Sequence, residues 1–509
     1  MCISLEEDKL LEEMEYATKA NRALGDDLRG CLGDTRREVI EDIFNWATQS
    51  GPPGKGSRNF EALVPERRVL WLHGMAGTGK SSIAISLARK LKRERLLGSF
   101  YGFEVAQRDA FDLKPTNLFS TITRHLARHD AARKQHLIKM DSDQRATTSI
   151  SEQFEKLLLS VGSVMASKDV TVIVIDAFDE CGTSNERAQV LKILTQRANE
   201  IPDGIRVVVT SRAEDDIVTA LDQSQSELCV LKMGEIPKNQ TERDIYAFVV
   251  DTLRDEHGLS SQASRLTELA LAAEESFQWA STACAFIKNR NGRGAATTPK
   301  TRLQQVLSKG KGLDGLYGMI LDALDRAFCD GTPLDQLEDP DDGFNRLQTI
   351  LGILACAREP LSLQAIISLG IQPDSEVDVD EYHWVLRRLA SLFTGTHDVT
   401  SLIIPLHTSV TDFLLDKGRS KAYYVNPAQF KDILASRCLD IMLTGDKGLR
   451  FNICKLPTSY KRNRDIPDIE ELVKKNISLE LSYSCRFWAH HVSEVEKFDV
   501  SLTDSVTEL

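Results

Sequence analysis

The sequence predicts an α/β fold, with a parallel five-stranded sheet in its first half and an almost wholly helical second half. Three observations carry this expectation. The runs Val170-Thr171-Val172-Ile173-Val174-Ile175 and Ile205-Arg206-Val207-Val208-Val209-Thr210 are rich in β-branched residues, as strands buried on both faces of a parallel sheet are. Helical patterns separate the strand candidates as far as about residue 235, the alternation that crossover connections require. Finally, the octet Gly74-Met75-Ala76-Gly77-Thr78-Gly79-Lys80-Ser81 stands between the apolar run Val69-Leu70-Trp71-Leu72 and the helical pattern beginning Ser82-Ile83-Ala84. Strand, glycine loop and helix in that order are the context of a phosphate-binding loop.

Along the chain, residues 1–30 place Leu5, Leu10, Leu11 and Met14 at helical spacing among acids, so an N-terminal helical segment is expected. Asp34-Thr35-Arg36-Arg37-Glu38 opens a second helix through Trp46, and Gly51-Pro52-Pro53-Gly54-Lys55-Gly56-Ser57 reads as a linker, completing a lead-in over 31–68. The α/β domain covers 69–235, with strands at 69–72, 99–103, 170–175, 205–210 and 228–231. The remainder is helical in pattern, interrupted by an acidic loop over 330–343 whose spacing fails that of a calcium-binding loop.

A chain of 509 residues exceeds one hydrophobic core, so several domains are expected. Its formal charge of −12 argues against nucleic acid as a partner. The ten cysteines are scattered without a C-x-x-C pair or metal-ligand spacing, as in reduced thiols. No apolar run approaches the roughly 20 residues of a membrane span. These features together lead to the expectation of a soluble, cytoplasmic protein.

The chemistry gathers around the octet. Main-chain N–H groups of Gly74, Met75, Ala76, Gly77, Thr78, Gly79, Lys80, Ser81 and Ser82 can surround a phosphate, because the glycines let the chain bend without a Cβ clash. The following helix turns its positive end to the same anion. Lys80 would reach the outer phosphates, and the Ser81 hydroxyl would hold Mg²⁺. Asp176, ending a buried strand in Ile173-Val174-Ile175-Asp176-Ala177-Phe178-Asp179-Glu180, would share that metal with Ser81. Asp179 or Glu180 would polarise the attacking water. Arg212, just beyond Val207-Val208-Val209-Thr210-Ser211, would offset charge on the γ-phosphate.

The succession of this octet, Asp176-Ala177-Phe178-Asp179-Glu180 and Thr210-Ser211-Arg212 resembles the NACHT class of STAND (signal-transducing) P-loop NTPases, as found in fungal NOD-like receptors. Cys31-Leu32-Gly33-Asp34-Thr35-Arg36 resembles the family's lead-in, and Phe277-Gln278-Trp279-Ala280-Ser281-Thr282-Ala283 its helical segment. Leu313-Asp314-Gly315-Leu316-Tyr317 and Ala357-Arg358-Glu359-Pro360-Leu361-Ser362 resemble the approach to its winged helix. Pro405-Leu406-His407-Thr408-Ser409-Val410-Thr411-Asp412-Phe413-Leu414 resembles the winged-helix signature, and Asn452-Ile453-Cys454 with Cys485-Arg486-Phe487-Trp488-Ala489 the closing helical segment. The expected architecture is a P-loop NTPase domain with sheet order 5-1-4-3-2 (69–235), a helical domain (236–310), a winged-helix domain (311–420) and a second helical domain (421–509).

What the resemblance implies is a slow NTPase acting as a switch, in innate-immunity-like or programmed-cell-death signalling. Its cofactors would be Mg²⁺ and ATP/ADP, with GTP/GDP left open. Its partners would be further copies in a homo-oligomer on activation and a protein effector at the N-terminal region. His407 falls where the family sets a winged-helix histidine against the β-phosphate of ADP. The chain departs from the family at Met75, where proline is common, and at Val410, where an aromatic is usual. Glu275-Ser276-Phe277-Gln278-Trp279 lacks the Gly and Pro that related ATPases place near the base. The residues after Trp488 are too few for a repeat sensor, so a fragment or a reduced member is expected. Two other readings are a P-loop ATPase of steady turnover and a nucleotide-binding scaffold without signalling.

Overall fold

The computed structural model describes residues 11, 14, 16–17, 20–25, 30–33, 35–48, 63–103, 114–164, 170–256, 259, 262–288, 298–329, 340–370, 378–444, 448–458, 460–461, 463–496 and 500–509. They fall into two compact units, residues 1–255 with 262–281 and residues 256–261 with 282–509.

The first unit holds the sheet. Its strands are β1 (Val69–His73), β2 (Leu97–Gly102), β3 (Thr171–Asp176), β4 (Ile205–Ser211) and β5 (Cys229–Lys232). They lie in the order β2-β3-β4-β1-β5, all parallel. The period-2 alternation of strand side chains divides their residues between two cores. Val69, Trp71, Ile173, Ile175, Val207 and Val209 pack on one face. Leu70, Leu72, Val172, Val174, Val208 and Leu231 pack on the other. This double burial is what the unbroken β-branched runs require.

On the second of these faces lie helices α1 (Arg37–Thr48) and α2 (Lys80–Arg93), through Val39, Ile43, Ile83 and Leu87. Helices α3 (Leu118–His129), α4 (Ser184–Gln196) and α5 (Asp215–Gln223) cover the first, through Phe119, Ile122, Val190, Leu194, Ile217 and Leu221. Helix α6 (Lys238–Leu253), α7 (Ala263–Ala272) and the start of α8 (Phe277–Lys288) complete the unit. Of residues 1–30, most of the helix expected from Leu5 to Met14 lies outside the described residues. Arg22–Gly25 form a 3-10 turn, and the Ala20 carbonyl accepts the Gly102 N–H at the edge of β2. The linker at 51–57 also lies outside them.

The second unit is built largely of helices: α9 (Pro299–Lys309), α10 (Gly312–Cys329), α11 (Pro340–Cys356), α12 (Leu363–Gly370), α13 (Val379–Arg388), α14 (Ser409–Leu415), α15 (Pro427–Leu443), α16 (Ile469–Asn476), α17 (Leu479–Ser493) and α18 (Val500–Glu508). A small antiparallel sheet of β6 (Leu361–Ser362), β7 (Phe393–Thr394) and β8 (Leu402–Pro405) sits among them in the order β6-β8-β7. The acidic loop expected over 330–343 lies outside the described residues up to 339. Its last four residues are corrected to helix, because Pro340 suits the first turn and opens α11. Polar bonds tie α10 to the segment after β8: Tyr317 Oη to Ser409 Oγ at 2.8 Å, Arg419 to both oxygens of Asp314 at 2.7 and 2.9 Å, and Tyr423 Oη to Asp322 at 2.8 Å. Among the described residues no helix is long and apolar enough to cross a membrane.

Candidate functional site

Parallel register brings the sequence motifs to one edge of the sheet. His73 at the end of β1 lies beside Ser211 at the end of β4, and Ile175 of β3 lies beside Val209. The glycine loop, Asp176 and Arg212 therefore follow three adjacent strands at their carboxyl ends, where ligands of such sheets gather.

The loop itself depends on glycine. Gly77 and Gly79 have φ of 76° and 93°, in the region that side-chain-bearing residues avoid. A Cβ on Gly77 would stand 2.5 Å from Cβ of Gln278. The outer face of the loop is held by main-chain acceptors: Gln278 N–H donates to the Gly77 carbonyl at 3.1 Å, and Arg36 Nη2 to the Thr78 carbonyl at 3.3 Å. In a trans peptide the N–H lies opposite the carbonyl. The N–H groups of Thr78 and Gly79 are thus turned away from Gln278 and Arg36, as an anion cradle needs.

Arg36 joins several elements at this point. It is buried, its Nη1 donates to Thr241 Oγ1 at 2.9 Å, its own N–H donates to Asp244 Oδ2 at 3.1 Å, and its guanidinium lies 4.9 Å from the Phe277 ring centroid. The lead-in, α6 and the first turn of α8 therefore clasp the loop.

Lys80, first residue of α2, is buried and bends back so that Nζ donates to the carbonyls of Gly74 at 2.8 Å and Met75 at 2.7 Å. Burial pushes its ammonium down to about 8, with Asp179 opposing. Ser81, the next residue, is exposed and its hydroxyl is hydrogen-bonded to the carboxylate of Asp176. Met75 is 80% exposed, consistent with a position that contributes only backbone.

Asp176 is buried. Burial raises its carboxyl above the usual range, opposed by hydrogen bonds from Thr210 and Ser81. Thr210 Oγ1 donates to Asp176 Oδ1 at 2.5 Å and accepts the Ala177 N–H at 3.1 Å. Ala177 has φ 56°, a left-handed conformation that re-aims the chain into the 3-10 turn Phe178–Glu180. Phe178 anchors the turn edge-on against Trp71, with ring centroids 5.2 Å apart. Ser81 and Asp176 offer hard oxygen donors across one gap, which suits Mg²⁺. Among the described residues no cluster of three or more His, Cys, Asp or Glu offers an all-protein cage.

Asp179 and Glu180 differ in surroundings. Asp179 is buried and its carboxylate takes Arg212 twice: the main-chain N–H at 2.8 Å on Oδ1 and Nε at 3.2 Å on Oδ2. Glu180 is half-buried at the end of the turn. Ser82, on the first turn of α2, is also half-buried. His407 belongs to the other unit, between β8 and α14, where its Nδ1 accepts the Ser409 N–H at 3.1 Å and lies 2.7 Å from Ser409 Oγ. That bond caps α14 and fixes the tautomer with Nδ1 unprotonated.

Sequence reading passed over Thr210, Arg36, Gln278 and also Arg187, whose Nη1 donates to the Asp179 carbonyl at 2.9 Å. Arg187 had a legible signal: it lies on the apolar stripe of α4 with Val190, Leu191 and Leu194, where a charge needs a buried partner. The contacts of Arg36 and Gln278 join residues far apart in sequence and leave no local pattern.

Comparison with curated protein sequences finds no match. Among solved structures, the chain is similar to a Walker-type ATPase of Pyrococcus abyssi, at 10% identity and a TM-score of 0.30, over 68% of this chain and 90% of that one. It is also similar to Cdc6p of Pyrobaculum aerophilum, at 14% identity and a TM-score of 0.34, over 81% and 97%, and to PCH-2 of C. elegans, at 15% identity and a TM-score of 0.29, over 59% and 70%. At these TM-scores the likenesses are distant, and no role is carried from them to this chain. Residues 57–212, which include the glycine loop, Asp176, Asp179, Glu180 and Arg212, match the family model described as Nephrocystin 3, N-terminal.

Proposed function

We propose that this chain is a nucleotide-dependent switch of the NACHT/STAND class, binding Mg-NTP and hydrolysing it slowly to control opening and self-assembly. The single observation that carries the nucleotide reading is the meeting, at the carboxyl ends of adjacent strands, of buried Asp176 with a glycine loop at positive φ whose buried lysine opens the following helix. Main-chain N–H groups of 74–82 and the Lys80 ammonium receive the phosphates; for Lys80 this means exchanging two loop carbonyls for phosphate oxygens. Ser81 and Asp176 would hold Mg²⁺, which when bound would neutralise charge on the phosphates. Glu180 orients and deprotonates the attacking water, and Arg212 offsets charge on the γ-phosphate. Asp179, with both oxygens on Arg212, is better suited to hold that arginine than to act as base.

On the same reading, helices α12 and α13 and the β6-β8-β7 sheet of the second unit would form the family's winged helix. On this reading His407 contacts the β-phosphate of ADP in the closed state. Effector recruitment by the N-terminal region, assembly into a homo-oligomer, a cytoplasmic location and a preference for ATP over GTP belong to the same proposal.

The test is the nucleotide carried by gently purified protein, released by denaturation and identified by ion-exchange chromatography. Near-stoichiometric ADP or GDP supports the switch and names the base. An empty site with rapid turnover on added NTP would make the chain an ordinary ATPase.

The state of Lys80 adds a pH dependence. Phosphates bind the charged ammonium, and in the nucleotide-free protein that charge is lost as pH rises through about 8. Affinity for labelled ADP is expected to be nearly flat around neutrality, above the last phosphate ionisation at about pH 6, and to fall by up to about tenfold per pH unit in the alkaline range. Fluorescence titrations across that range check it; a profile without a break would place the titrating charge elsewhere.

A further inference from the structure

The turn that carries Asp179 and Glu180 and the loop that carries Arg212 are joined twice. The first joint is the Asp179–Arg212 pair. The second is Arg187, buried on α4, whose Nη1 donates to the Asp179 carbonyl at 2.9 Å. The same guanidinium grips Asp216 in the first turn of α5 with Nε to Oδ2 at 2.9 Å and Nη2 to Oδ1 at 2.7 Å. A planar fork held at both ends is a rigid spacer, which an ammonium does not reproduce.

Local structure sets the spacer's position. Thr183 and Glu186 form a capping box that launches α4 directly after the turn, fixing the rotation of the helix and so the place of Arg187 one residue later. Helix α5 follows Arg212 by three residues, so Asp216 moves with the Arg212 loop. Asp179 is therefore held through its main chain by Arg187 and through its side chain by Arg212, and both holders report to the same loop.

We infer that Arg187 and Asp216 form a strut that locks the Asp179–Arg212 pair, making Arg187 and Asp179 positioning residues through which Arg212 and Glu180 keep a fixed separation during γ-phosphate hydrolysis. The inference rests on the hydrolysis reading above. A strut of this kind acts on the chemical step: displacement of a catalytic group by about 1 Å costs on the order of 10²-fold in rate, while phosphate contacts at the glycine loop are untouched.

The experiment compares the full chain with Arg187→Gln, with the charge swap Arg187→Asp/Asp216→Arg, and with Arg187→Gln in an Arg212→Ala background. Single-turnover hydrolysis, ADP affinity and thermal melting are read for each. Arg187→Gln is expected to slow hydrolysis about 10- to 100-fold with ADP affinity within about twofold, the swap to recover little of that loss because an aspartate at 187 restores the ion pair with α5 but has no donor for the Asp179 carbonyl, and Arg187→Gln to add nothing once Arg212 is absent, since residues acting as a unit are non-additive. A lower melting temperature with unchanged hydrolysis would overturn the strut, as would full additivity with Arg212→Ala. Wild-type protein that binds no nucleotide would instead overturn the hydrolysis reading, and the strut's catalytic role with it.

Discussion

Lys80→Ala is expected to abolish measurable nucleotide binding. The argument begins with burial: Lys80 is an ammonium enclosed at the start of α2, partly desolvated, hydrogen-bonded to two loop carbonyls at 2.7 and 2.8 Å and attracted by the nearby Asp179 carboxylate. Anionic phosphates are a far stronger partner for such a group. Removing one member of a buried charge pair costs about 2–5 kcal/mol, or roughly 30- to 10⁴-fold in Kd. Isothermal titration with Mg-ATP and with ADP reads the change. The substitution also deletes the two bonds that brace Gly74 and Met75, so thermal melting is followed alongside; loss of binding with an intact melting transition assigns the effect to the charge. Affinity within about threefold of wild type would remove the glycine loop from the binding site.

That lysine was legible from sequence because everything defining it is local. The octet supplies the loop, the apolar run before it supplies the strand, and Ser82-Ile83-Ala84 begins the helix. The strands were legible for a similar reason: burial on both faces demands uninterrupted β-branched residues, and Val172–Ile175 and Val207–Val209 have them. What sequence could not order was the relation between neighbouring acids. Asp179 and Glu180 are adjacent and chemically alike, and their separate surroundings arise from a tertiary event, the left-handed turn at Ala177 that brings Asp179 onto Arg212. Arg212 likewise had nearer candidates for a partner in Glu214 and Asp215, yet it pairs with Asp179 across the sheet edge. Glu214 lies within reach of Arg187 instead, at 3.9 Å. Thr210 belongs to the Thr-Ser-Arg motif, but its role, one hydroxyl serving both Asp176 and the Ala177 N–H, depends on the parallel pairing of β3 with β4.

The distinction between the two acids leads to the second large effect. Glu180→Gln is expected to keep nucleotide binding and lose hydrolysis. The exchange conserves size and leaves the acceptor oxygen, so phosphate and metal contacts at Lys80, Ser81 and Asp176 persist, while the capacity to take a proton from water disappears. Loss of a positioned general base costs typically ~10²–10⁴-fold. The measurement is single-turnover release of phosphate at saturating Mg-ATP, with Kd for the same nucleotide determined separately. Asp179→Asn gives the contrasting case, because it weakens the charge pair with Arg212 while leaving Glu180 to act on water. A Glu180→Gln protein that turns over at the wild-type rate, beside an inactive Asp179→Asn protein, would transfer the base to Asp179. The Arg212 bonds to Asp179 would then have to open before each turnover, a requirement that the 2.8 and 3.2 Å contacts make energetically unfavourable. If the trapped Glu180→Gln complex with ATP also assembles where wild type does not, the bound triphosphate, more than its hydrolysis, is what drives assembly.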